Sequence, residues 1–169
     1  MRELTHDHRE LSGLLVAIHE ALQRVARGHS KLDDELHEIR DGIEAFREAL
    51  LEHFAREQEA LLPFVVVRLP EYQTRADGLI TEHDRIAAML TTVVHALGAV
   101  DDHPHGSGER RASADPESAL ETWRAELARF EELYVGHTKT EIVFLEDVSR
   151  SLRADAAATE QLQALLEKG

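Results

Sequence analysis

The residues of this chain best suited to chemistry are a histidine and a glutamate four positions apart inside an apolar run, His53 and Glu57 within Leu50-Leu51-Glu52-His53-Phe54-Ala55-Arg56-Glu57-Gln58-Glu59-Ala60-Leu61-Leu62-Pro63. On a helix the two share a face with Ile43, Phe46, Leu50, Ala60, Leu61 and Phe64, where core side chains belong. A carboxylate and an imidazole there cost free energy unless they are paired, hydrogen-bonded or bound to a metal. The same spacing recurs at His137 and Glu141, on a seam running Leu120, Trp123, Leu127, Phe130, Leu133 and Tyr134 before them and Phe144, Leu145 and Val148 after. Two single histidines take core positions on other seams: His8 with Leu4, Leu11, Leu15, Ile18, Leu22 and Val25, and His83 with Leu79, Ile80, Ile86, Leu90, Val93 and Val94. Four imidazoles and two carboxylates at one level of four helices suit iron, zinc or manganese, and they exceed what one ordinary zinc site uses. Two metals share them more comfortably, with a glutamate from each helical hairpin bridging ions ~3.5–4 Å apart.

The His-x-x-x-Glu spacing also occurs at His6/Glu10 and His105/Glu109, but only the pairs at 53 and 137 fall mid-helix on apolar seams. Glu-x-x-His on each of two helices, the ferritin-like di-iron signature, is not present. Neither His-Glu-x-x-His, nor a Gly-x-Ser-x-Gly elbow, nor a glycine-rich phosphate loop occurs. Metal chemistry is the one sharp signal. Tyr134, one turn before His137, is the candidate for a further ligand or a redox neighbour, set against packing in the core with its hydroxyl on water. His19, close to three turns beyond His8, is expected to point inward or nearly so.

The elements that must position these groups are helical throughout. Thr5 or Asp7 can cap a first helix that Gly28 closes, and Asp33 or Asp34 can cap a long second helix. Pro63 then kinks or ends it, and Phe64-Val65-Val66-Val67 reads as a kinked helical continuation because no partner strand exists elsewhere. A turn region over 70–77 precedes a third helix ending near Gly98. Residues 101–114 hold no apolar periodicity and read as a mobile loop. Asp115-Pro116 opens a fourth helix, and a short C-terminal helix spans about 154–168. The chain repeats itself: Asp7-His8 with Leu11 and Leu15 corresponds to Glu82-His83 with Ile86 and Leu90, and His53, Glu57 and Leu61 correspond to His137, Glu141 and Leu145. The expected fold is all-α, an up-down antiparallel four-helix bundle with an additional C-terminal helix, a single domain over 1–169 with its core at about 4–150.

Composition narrows the partners. Among 169 residues, 19 basic side chains against 33 acidic ones leave a net charge of −14, which repels phosphate backbones and anionic lipid, so neither nucleic acid nor a membrane is an expected partner. The longest apolar run, Leu61 to Val67, is too short to span a bilayer, and the acidic, polar start lacks the apolar core of a signal peptide. A cytoplasmic protein is expected. With no cysteine, any metal is held by histidine and carboxylate.

On Asp7-His8-Arg9, His53-Phe54-x-x-Glu57 with Leu61 and Pro63 following, Glu82-His83 and His137-x-x-x-Glu141, the sequence resembles the hemerythrin-like, HHE cation-binding family over roughly residues 4–148. The resemblance implies a four-helix bundle with a non-haem di-iron centre, with His8, His53, Glu57, His83, His137 and Glu141 as ligands, Glu57 and Glu141 bridging, and zinc or manganese as possible substitutes. It implies a small diatomic or peroxide ligand, in a protein that binds or senses O2, nitric oxide or reactive oxygen species; the alternatives are a di-iron enzyme decomposing peroxide or nitric oxide, or an iron store. This chain departs from the O2-carrying members: Ala87 stands where they carry a second third-helix histidine, and His137 and Glu141 are four apart where they have a histidine and an aspartate five apart. One imidazole is missing, which leaves a coordination position open.

Overall fold

A computed structural model describes residues 4–101 and 116–167, and among them every regular element is helical. The expected loop at 101–114 lies, apart from Asp101, outside the described residues. The chain runs through α1 (Leu4–Ala26), α2 (Leu32–Arg56), a π-helical turn (Glu57–Leu61), α3 (Leu62–Arg68), a 3-10 turn (Pro70–Tyr72), α4 (Gln73–Asp101), α5 (Pro116–Leu152) and α6 (Ala156–Glu167). The closest helix pairs are α1 with α2 and α4 with α5.

Local chemistry sets these bounds. Gly28 adopts a φ of 70°, and its N–H and that of His29 donate to the carbonyls of Val25 and Arg24 at 2.9 Å each. This paired closure of a helix end needs a left-handed residue, which glycine supplies without a Cβ penalty. The second helix starts at Leu32, earlier than Asp33 or Asp34 as caps would place it, and Lys31 at its N-cap makes no capping hydrogen bond with its side chain. Instead, Arg24 at the end of α1 donates to both oxygens of Glu35, at 3.0 and 2.6 Å, tying the start of α2 back across the turn. The turn expected over 70–77 shrinks to Pro70–Tyr72, and α4 continues past Gly98 to Asp101; a single glycine costs a helix only about 1 kcal/mol, which flanking packing through Leu97 and Val100 offsets. At α6, Asp155 is the cap, its Oδ1 accepting from the N–H of Ala158 at 2.9 Å.

Pro63 does not end the helix. The N–H of Leu62 donates to the carbonyl of Glu57, five residues back, so the ladder opens by one residue just before the proline. A proline inside an α-ladder removes a donor and clashes with the carbonyl four residues earlier, and a π turn is one of the few ways a helix passes such a point. The Phe64-Val65-Val66-Val67 stretch is accordingly helical, within α3.

The apolar side chains divide into two clusters. One takes Leu11 and Ile18 from α1, Phe46, Leu50 and Phe54 from α2, Ile86 and Leu90 from α4, and Trp123, Phe130 and Tyr134 from α5. The other takes Leu61, Leu62 and Val65 from the second helix and its continuation, Ala76 and Leu79 from α4, Phe144, Leu145 and Val148 from α5, and Ala158 and Leu162 from α6. Along α2, α4 and α5 the passage from one cluster to the other falls at His53 to Glu57, at His83, and at His137 to Glu141. The polar residues therefore form a layer between two apolar halves, and α6 covers the second half. No described helix is long and apolar enough to cross a membrane.

Candidate metal centre

All six residues singled out by spacing meet in that layer, and they divide into two triads. His8, His53 and Glu141 bring one ligand atom each within 4.8 Å of one another, and so do Glu57, His83 and His137. Each triad offers two imidazole nitrogens and one carboxylate. The grouping crosses the sequence repeat: the first triad combines the first hairpin's histidines with the second hairpin's glutamate, and the other draws on Glu57 with His83 and His137.

The triads touch through their carboxylates. Glu141 Oε2 lies 3.0 Å from His8 Nε2 and 3.7 Å from His53 Nε2, and also 3.6 Å from His137 Nε2. Glu57 Oε2 lies 3.1 Å from His83 Nε2 and 3.9 Å from His53 Nε2. His8 and His53 meet edge to face with ring centroids 5.0 Å apart, as do His83 and His137 at 4.7 Å. Five of the six side chains are sealed from solvent, and His8 is the one with partial exposure, 12 %.

Burial and neighbours fix the protonation states. Burial pushes His83 down to about 3, and the nearby His137 and His53 act in the same direction, so its imidazole is neutral at neutral pH and keeps a lone pair for a metal. For Glu141, burial alone would raise the carboxyl; the His53 and His8 imidazoles outweigh it and hold the group well below the usual carboxylate range. A cation needs ionised carboxylates and unprotonated imidazole nitrogens as donors, and Glu141 and His83 are already in those states.

The fit to a cation also appears in what the cluster leaves unsatisfied. His83 Nε2, His137 Nε2 and Glu141 Oε1 are buried without a hydrogen-bond partner among the described residues. Buried polar atoms left without partners cost free energy. A cation accepted by the nitrogens and oxygens of both triads removes that cost.

Four positioning features were not legible from spacing. Glu57 begins the π turn, and such turns are frequent at functional sites. Gln58 places its side-chain amide 3.0 Å from His83 Nδ1, and Glu82 accepts a hydrogen bond from His137 Nδ1–H at 2.9 Å. Phe54 lies flat on His83, centroids 3.9 Å apart and planes within 11°. Glu82 and Gln58 adjoin candidate ligands in sequence, and neighbours on a helix point in different directions, so only the packing of α4 on α5 brings Glu82 to His137.

One expectation is corrected. His19 is exposed rather than inward-facing, bonded at 2.5 Å to Glu131. Tyr134 packs in the core against Phe46 and Phe130, as one of the two expectations for it had it; burial pushes its phenol up to about 12.

The family model for the hemerythrin HHE cation-binding domain matches residues 1–146, a span that takes in all six residues of the two triads. No curated protein and no solved structure matches. With most of the chain covered by that match, the protein belongs to the hemerythrin HHE cation-binding domain family.

Proposed function

We propose that this chain is one domain, an up-down antiparallel four-helix bundle that holds two iron ions, and that the centre binds or senses O2, nitric oxide or reactive oxygen species in the cytoplasm. The observation that carries the reading is the division of six buried donors into two triads of two histidines and one carboxylate. That donor set with open positions is the one non-haem iron(II) sites use. His8, His53 and Glu141 would hold one ion, and Glu57, His83 and His137 the other. The short distances from Glu141 to His137 and from Glu57 to His53 support both carboxylates bridging. Bound iron supplies redox chemistry and a Lewis-acidic open position.

The rest is done by the chain. His83 stays neutral through burial, Glu141 stays ionised, and Phe54 with the leucines on either side of the layer keeps bulk water away. Ala87, one turn beyond His83, supplies no ligand, so a coordination position would stay open to a diatomic molecule or a peroxide. The same open position favours, as second reading, an enzyme that consumes peroxide or nitric oxide.

The test is metal analysis and a visible spectrum on protein produced in iron-rich medium, before and after peroxide. About two irons per chain, one for each triad, with an oxo-bridge absorption band, is the expected result. A reversible spectral change without turnover selects the sensor, and sustained loss of peroxide selects the enzyme. Colourless protein with one zinc or no metal overturns the di-iron reading.

A further inference from the structure

The two triads are built from the same donors but not to the same standard. In the Glu57 triad both histidines are anchored by the nitrogen that faces away from the cluster: His137 Nδ1–H donates to Glu82 at 2.9 Å, and His83 Nδ1 meets the Gln58 amide at 3.0 Å. Their Nε2 atoms are turned into the layer, where His83 Nε2 lies 3.1 Å from Glu57 Oε2, and neither makes a hydrogen bond among the described residues. The Phe54 ring stacked on His83 fixes the plane of that imidazole as well. The Gln58 amide presents its N–H2 to an unprotonated Nδ1, and its oxygen when Nε2 is given to a metal and Nδ1 carries the proton.

His8 in the other triad is the opposite case. Its hydrogen bond runs through Nε2, the nitrogen that faces the cluster, which donates to Glu141 Oε2 at 3.0 Å. A metal there must first separate the two ligands it needs. His8 is also the one partly exposed member of the six, near the start of α1.

We propose that the two metal positions are unequal, and that Gln58 and Glu82, by holding the outer edges of His83 and His137, make the Glu57/His83/His137 position the one that fills first and empties last. The His8/His53/Glu141 position is then the exchangeable one, and a one-metal form of the protein exists whenever metal is scarce. Carboxylates and amides that orient a ligating histidine are typically worth 10–100-fold in metal affinity. Gln58 and Glu82 are positioning residues, since they act through the histidines.

The inference rests on the proposed metal centre, and the experiment separates the two. Metal-free full-length protein is titrated with iron(II) under nitrogen by calorimetry, and the loaded protein is then exposed briefly to a chelator and its metal counted. The expected result is two resolved binding steps and one ion per chain surviving chelation. His8→Ala keeps the tight step and loses the weak one. Glu82→Ala weakens the tight step by 10–100-fold and leaves the weak step in place, and Glu82→Gln, whose amide oxygen still accepts from Nδ1–H, restores it. Because Glu82 is a third exposed, its variants are expected to fold, which a thermal melt of the metal-free proteins checks. Two equivalent ions leaving together overturn the inequality while preserving the metal centre, as does a tight step lost in His8→Ala or unchanged in Glu82→Ala. No bound iron at all overturns both.

Discussion

His53 of α2 and Glu141 of α5 approach to 3.7 Å in the buried layer, although they come from opposite ends of the sequence repeat. The same nitrogen lies 3.9 Å from Glu57 Oε2, so one imidazole stands between the two carboxylates. Truncating it leaves two buried acids without the group they share.

His53→Ala is therefore expected to remove metal and to destabilise the fold together. Breaking one side of a buried charged cluster typically costs about 3–5 kcal/mol, and His53 is almost fully enclosed. Elemental analysis of the purified variant and its urea midpoint check this. Wild-type metal content with an unchanged midpoint would contradict the placement of His53 at the centre.

The π turn makes a second, independent expectation. A π turn is one residue more than an α-ladder needs, and here it sets Glu57 in the polar layer while Leu61, Leu62 and Val65 stay in the second apolar cluster. An alanine inserted after Glu59, which is exposed, adds a second extra residue that one wide turn does not absorb, and so rotates one of those sets off its face. The insertion variant should keep its far-UV helical signal while losing metal, cooperativity of melting, or both. A variant with wild-type metal content and melting would show that the turn has no part in placing Glu57.

What the sequence disclosed and what it withheld follow from the range of the physics involved. The three- and four-residue steps around His53 and His137 read correctly, because burial of one helical face is a local, periodic constraint. The matched pairs Leu61 with Leu145 and Leu11 with Ile86 fall in common clusters, as the repeat implied. His19 misled because it lies near the inward face by angle, yet α1 has Leu22 and Ile18 to bury there and leaves His19 to Glu131. Gly98 misled because glycine marks helix ends only when a left-handed residue is needed, which holds at Gly28 and not at Gly98. The pairing of ligands across hairpins and the roles of Gln58 and Glu82 depend on contacts between elements distant in sequence, which no single-helix pattern encodes.

The clamp between α1 and α2 predicts a pH dependence. Hydrogen bonds from Arg24, and next from Ser30, lower the Glu35 carboxyl from 4.5 to about 2. A group whose pKa is depressed on folding stabilises the protein above its unfolded value and loses that contribution as pH falls through the folded one. The contribution of Glu35 is thus present above pH 4.5 and fades between there and about 2. In urea titrations, Glu35→Gln should be clearly less stable than wild type near neutrality, with the gap narrowing as pH drops through that window. A gap that stays constant with pH would mean the ion pair contributes nothing beyond its packing.

Gly42 and Gly13 provide opposite expectations from one substitution. A Cβ at Gly42 would sit 2.9 Å from Ile18 Cγ1, where α1 and α2 come close, whereas a Cβ at Gly13 meets nothing within 4 Å. Alanine favours a helix over glycine by about 0.8–1 kcal/mol, so Gly13→Ala should raise the melting temperature by a few degrees. At position 42 the same gain is set against about 1–3 kcal/mol of overpacking. Cγ1 lies close to the backbone of a nearly sealed isoleucine and cannot swing aside as the end of a flexible chain would, so Gly42→Ala should lower the melting temperature. Combined with Ile18→Ala, which removes Cγ1, Gly42→Ala should cost less than it does alone; a double variant no more stable than the sum of the two single changes would show that α1 and α2 do not meet at Gly42 as described.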